Sequence, residues 1–378
     1  MKIRQLPLYI CLLALSWIPF SCNDDAPEQQ DKVPVKFSAT IENSACSGDA
    51  GRASIGSDGV SVIGFGKGDE IVVDSWMLHN SVENVSGKPN FMYQQPLSYN
   101  EGTSSWNCTV IKYWPENYNL GFLAHYLPGP NNGSGNVTVS EDYNQYGYHT
   151  IVFNTRDLGQ SGHWGNDFLV TPIRIYSHND LDSEGRIPLQ FQHIMAKLSL
   201  KIKFVGDPGE ILYIKNVNLQ GYPLYGEFLG FQKEGNGTFT PIWQNVSVYM
   251  IDDKGDKSSS KRVHTTTDDT VHEVKAATHD DDFEDFPEFT HLTYPWTVGY
   301  EKPGIVDSFI SFELKEENDN YVELKIYLND IEFKAGHNNV IYATINEGNI
   351  TIKVEAEPIT ASAGWWNGST TVTTTVGF

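Results

Sequence analysis

The amino-acid sequence predicts an all-β protein: two antiparallel β-sandwich domains in tandem, with little helix. Three observations predict it. Aromatic residues make up 12% of the 378 positions, with 19 Tyr, 19 Phe and 9 Trp. Thr, Val and Gly are also plentiful and long Ala/Leu/Glu/Lys runs are missing, a composition that suits a pleated, half-buried surface. Several segments alternate apolar and polar side chains with a period of two. The clearest sets Leu198, Leu200, Ile202 and Phe204 against Lys197, Ser199, Lys201 and Lys203, as a sheet with one wet face requires. Finally, the chain is longer than one core usually serves.

Taken in order, residues 1–21 read as a signal peptide. Lys2 and Arg4 form a basic start, and the apolar run Leu6–Phe20 is too short for a stable membrane span. Ser21 then precedes Cys22, the layout of a lipoprotein box in which Cys22 becomes the lipidated first residue. Pro19 stands three before the cysteine, where an aliphatic residue is usual, so an ordinary signal peptide with an incidental cysteine stays open. Residues 22–32 form an acidic tether without apolar periodicity. Acidic residues in this place resemble the surface-export signal of some Gram-negative lipoproteins.

The first domain is expected over residues 33–184. Val33, Val35, Phe37, Ala39 and Ile41 share one face of a strand. Asn43–Gly59 is a soft Gly/Ser/Asp/Ala segment with Arg52 at its centre. Strands are expected at Val60–Phe65 and Glu70–Val73, around the turn Gly66–Asp69, and then at Thr109–Trp114, Leu120–Tyr126, His149–Phe153 and Phe168–Val170. The second domain, residues 185–378, carries expected strands at Pro188–Phe191, Ala196–Phe204, Ile211–Leu219, Val322–Leu328 and Val340–Ile345. A short helical turn is allowed near Gln192–Ala196. An acidic stretch near 251–290 has few large aliphatics and reads as an exposed insertion.

The chemistry that these residues exclude is as informative. A net charge of −22 repels phosphate backbones, so nucleic acid is not an expected partner. No nucleophile elbow, His-Glu-x-x-His, phosphate loop or Cys-x-x-Cys is present. An enzyme is therefore not expected, nor a catalytic residue or cofactor. His264, His272, His279 and Asp280–Asp282 match no calcium or zinc spacing, so no metal site is expected. His193 reads as a structural histidine bonded to backbone. Trp365 and Trp366 read as core or as a sugar platform. Cys46 and Cys108 are free to pair in an oxidising compartment, but their spacing does not demand it.

Several segments, in order, resemble the fimbrillin family of pilins and pilin-like lipoproteins. They are Phe37–Ile41, Gly51-Arg52-Ala53, Lys67–Ile71, Tyr113-Trp114-Pro115 followed by Leu120–Pro128, Asn166–Leu169, Leu189–Leu198, Lys334-Ala335-Gly336, and Ile350–Val354 through Trp365 and Trp366. The sequence departs from the pattern at Gly51, at His125 in place of Tyr, and in the acidic stretch. The resemblance implies two transthyretin-like β-sandwiches and export as a lipoprotein. It also implies cleavage between Arg52 and Ala53, which would remove the first strand and open a groove for the C-terminal strand of the next subunit. Thr370, Val372, Thr374, Val376 and Phe378 are the expected donor positions; the same strand could instead pair within its own domain. Implied partners are other pilin subunits, of the same or a related kind, with a host protein or glycan as a further ligand. The implied location is the outer-membrane surface and the pilus, with membrane contact only through the lipid on Cys22. A non-polymerising anchor, tip or adhesin of the same fold is the alternative.

Overall fold

The computed structural model describes residues 33–41, 54–55, 62–79, 85, 87–100, 102–103, 105–126, 137–154, 167–220, 225–247, 250–251, 257–258, 263–265, 271–286, 289–297, 309–315, 320–328, 331–346, 349–358 and 374–377. Nearly all of the regular structure among them is β. No helix among the described residues is long and apolar enough to cross a membrane.

The first sheet is built from β1 (Phe37–Ile41), β4 (Glu70–His79), β5 (Met92–Asn100), β6 (Ser105–Cys108), β7 (Tyr118–Tyr126), β10 (Leu169–Val170), β11 (Arg174–Tyr176) and β12 (Ile187–His193). The short pair β2 (Ser54–Ile55) and β3 (Val62–Gly64) stands apart from it. The spatial order is β10-β12-β1-β6-β5-β4-β7-β11, and β10 also pairs with β7. The sheet therefore curls and closes on itself around a core of Phe37, Ile71, Leu97, Trp106, Phe122 and Phe191. Closure leaves no open edge between β7 and β12.

A second sheet, in the order β16-β15-β9-β8, joins β8 (Val137–Tyr143) and β9 (His149–Asn154) to β15 (Tyr225–Lys233) and β16 (Phe239–Ser247). Phe153, Phe228 and Trp243 pack here with Trp76, Leu78 and Leu123, which come from the other face of β4 and β7. Residues distant in sequence thus share one sheet.

The remaining strands form a sandwich around Leu198, Ile202, Ile214, Phe312, Ile341 and Ile352. One layer centres on β13 (Ala196–Val205), which runs parallel to His337–Asn346; that strand pairs in turn with Asn349–Pro358. The other layer centres on β14 (Ile211–Gln220), paired with Phe309–Lys315. The apolar positions 198, 200 and 202 are buried and their lysine neighbours Lys201 and Lys203 are less so, as the period of two demands.

Three sequence expectations about local structure need correcting. The strand expected at Thr109–Trp114 lies instead at β6; residues 109–110 bend, and Tyr113 makes only an isolated bridge to Pro34. No helical turn occurs near Gln192–Ala196, where β12 passes almost directly into β13. The short 3-10 turn is at His178–Asp180, because Ser177 and Asp180 cap it reciprocally. The acidic stretch is not wholly exposed, since Val274, Phe286 and Phe289 are buried in the sandwich core. β12, which follows the boundary expected near 185, pairs with β1 and β10 in the first sheet.

Candidate functional site: the slot filled by the first strand

β1 is a short strand in the middle of a sheet. Along one side it pairs in parallel with β12, from Phe37↔Ile187 to Ile41↔Phe191. Along the other it meets β6 at Phe37↔Trp106, and the Val35 N–H donates to the Lys112 carbonyl at 2.8 Å. Alternation turns Val35, Phe37 and Ile41 inward, where all three are buried. Phe37 packs edge-on against Phe122 at 5.4 Å. Burying these three side chains contributes roughly 6 kcal/mol. Parallel pairing at the centre of a sheet depends on a strand far away in the chain, so β1 is held by tertiary contacts rather than by a hairpin.

At the end of β12 lies a buried carboxylate–imidazole pair. Asp167 is fully buried, and its Oδ2 accepts from the Val62 N–H at 2.8 Å and from His193 Nδ1 at 2.7 Å. Its Oδ1 is buried with no hydrogen-bond partner among the described residues. His193 is thus a structural histidine, but its partner is a carboxylate rather than backbone. Tyr126, close by, has its phenol held above the usual tyrosine range by burial first and then by the charges of Asp69 and Asp167.

A second polar cluster lies between β4 and β9. His149 Nε2 stands 2.9 Å from Asp74 Oδ2, and Nδ1 stands 2.6 Å from the Ser140 carbonyl. A carbonyl only accepts, so Nδ1 carries a proton. The Gln94 N–H donates to Asp74 Oδ1 at 2.7 Å, where a bulge interrupts the β4–β5 ladder. His125, buried beside this pair, is pushed down to about 4, by burial first, with Asp74 opposing and His149 reinforcing. Among the described residues no group of His, Cys, Asp or Glu is arranged to hold a metal.

The expected processing and donor residues fall unevenly on the structure. Cys22, Arg52, Ala53, Thr370, Val372 and Phe378 lie outside the described residues. Thr374 and Val376 belong to the terminal strand Thr374–Gly377, which pairs antiparallel with the same chain's Asn349–Ile352. Cys108 has a free thiol. The sequence reading missed Asp74, His149, Phe65 and Trp106. Asp74 did leave a signal, a carboxylate inside the apolar run Ile71–Leu78, but its partner lies far along the chain and spacing does not reveal it.

The fold and slot define an all-β class of protein, in which a strand near the N-terminus completes a sheet from within. The chain belongs to the fimbrillin-like family, whose sequence profile matches residues 52–358. Similar solved structures include a fimbrial protein from Bacteroides vulgatus, with a TM-score of 0.50 and 16% identity over 85% of this chain and 99% of that one. A fimbrial assembly protein from Parabacteroides distasonis aligns with a TM-score of 0.38 and 11% identity, covering 86% of this chain and 97% of that one. The tip fimbrial protein Mfa3 from Porphyromonas gingivalis, truncated at its C-terminus, aligns at 0.39 and 10%, covering 87% of this chain and 100% of that one. No curated protein sequence matches.

Proposed function

We propose that this chain is a structural and adhesive subunit of cell-surface pili. It is exported as a lipoprotein on Cys22, cut between Arg52 and Ala53, and assembled when the terminal strand of another subunit takes the place of β1. The observation that carries this reading is the position of β1. It precedes Arg52, yet it fills the middle of the first sheet, so a cut at Arg52 separates a buried strand from the body it completes. Loss of β1 would leave the β12 edge at Ile187–Phe191 unpaired and an apolar trough beneath it, the geometry that favours strand addition. The alternating terminal segment Thr370–Phe378 supplies β-branched residues for such a trough. Incubating the purified precursor with an arginine-specific protease should yield a product beginning at Ala53 and a ladder of polymers. An uncut or persistently monomeric chain would sink the polymerising version.

A second reading is favoured by the pairing of Thr374–Gly377 with the chain's own sheet. A strand engaged at home is not on offer to a neighbour, as suits an anchor, tip or stand-alone adhesin binding a host protein or glycan. Sequencing the N-terminus of protein taken from cells separates the two. Ala53 supports the polymerising subunit, and lipidated Cys22 supports the second reading.

A further inference from the structure

The inference drawn here rests on the strand-exchange reading. If β1 departs, the two walls of its slot are left unequally supported. β12 keeps only its two-residue pairing with β10, whereas β6 keeps β5. Apolar walls released from their spacer close on each other, because closing hides the area that drove folding in the first place. A closed slot offers no groove to a second strand. To admit one, the walls must stay two strand spacings apart, roughly 9–10 Å.

Phe65 stands between them. Its buried ring makes edge-on contacts with Trp106 of β6 at 5.3 Å, Phe191 of β12 at 5.2 Å and Tyr126 of β7 at 5.5 Å. Three residues upstream, Val62 is fastened through its N–H to Asp167, and the same carboxylate oxygen holds His193 at the end of β12. A buried carboxylate with so few donors is a costly way to fill space, and apolar residues of similar volume would often do so at no loss of stability. Apolar residues would not, however, fix the Val62 backbone to the end of β12. β3, which carries Val62, pairs with Ser54–Ile55, so this arrangement follows Arg52 in the chain and remains with the body after a cut.

We propose that Phe65 and the Asp167–His193 pair form a strut that stays behind when β1 leaves. It holds β6 and β12 two strand spacings apart, leaving a gap one strand wide for the terminal strand of a second copy. Asp167, His193 and Phe65 are positioning residues for that exchange, and their effect belongs to the cut chain more than to the intact one.

The test uses full-length precursor with residues 44–51 replaced by the recognition site of an unrelated, site-specific protease, so that the slot opens whether or not Arg52 is the natural cut. The cut protein is titrated with a labelled synthetic peptide, residues 369–378, and the thermal stability of the uncut protein is recorded in parallel. Phe65→Ala and Asp167→Ala are expected to weaken peptide uptake about tenfold beyond any change in the uncut chain. Asp167→Asn is expected to stay within about twofold of the parent, because its amide oxygen, placed where Oδ2 lies, can accept from both the Val62 N–H and the His193 Nδ1–H. Should Asp167→Ala fail to fold, Phe65→Ala against Asp167→Asn carries the comparison. Uptake by Phe65→Ala equal to the parent overturns the strut, and so does a loss fully accounted for by the uncut chain's lower stability. A parent chain that is cut but takes up no peptide overturns the exchange reading itself, and the strut with it.

Discussion

Burial removes hydration that the charged form of His125 needs, and this outweighs the attraction of Asp74. The folded pKa, at about 4, lies below the ordinary histidine value of 6.5, so the unfolded chain binds a proton more readily. The contribution of His125 to stability is therefore fully present above pH 6.5 and is lost as pH falls through about 4. The loss amounts to about 3 kcal/mol. Urea unfolding at pH 7 and pH 4 should show it, and His125→Phe should flatten that part of the profile. Gly230 illustrates a different constraint. Its φ is +128°, and a Cβ there would stand 2.2 Å from the Tyr148 ring. Gly230→Ala should cost about 2–4 kcal/mol by thermal denaturation, because the ring has no room to yield. Neither constraint is legible from residue type alone. The sequence marks His125 only as a departure from a family pattern, and Gly230 as one glycine among 33.

Strands with a buried face and a wet face could be read from the sequence because the pleat imposes a period of two. β1, β9 and β13 follow the expectation closely, whereas β7 is a strand where one was expected but is buried on both faces from Leu120 to Tyr126. β5 did not declare itself: only Met92 and Leu97 are fully buried along it, and Pro96 interrupts the run. The helical turn expected near Gln192–Ala196 failed for a related reason. Ile194 and Met195 are both fully buried, in the core that also holds Phe153 and Phe228, and an apolar run that short does not distinguish a turn from a buried crossing. β1 carries the sharpest prediction at this scale. Phe37→Ala removes a fully buried ring and should destabilise the uncut chain by about 3–5 kcal/mol. The same change should speed replacement of β1 by added 369–378 peptide after cutting, since it weakens only the strand that leaves. Deleting residues 369–378 should abolish polymer ladders. It should leave the precursor folded with only a few degrees' loss in Tm, because the described part of that strand lies at the end of its sheet.

For the whole molecule, a net charge of −22 makes every encounter between copies repulsive at long range. Raising salt from about 10 to 150 mM shortens the screening length from about 30 to 8 Å, so polymer growth from cut precursor should quicken severalfold by light scattering. Growth that slows with salt would mean that local charge pairing guides docking instead. The all-β class and the family resemblance lie in the sequence itself, because they depend on composition, on the period of the pleat and on short contiguous motifs. Only the tertiary structure decided that β1 sits at the centre of a closed sheet and that β12 belongs with it. It likewise brought Asp167, Val62 and His193 to one point. Those facts depend on pairings between residues far apart in the chain, and one-dimensional spacing carries no record of which strand lies beside which.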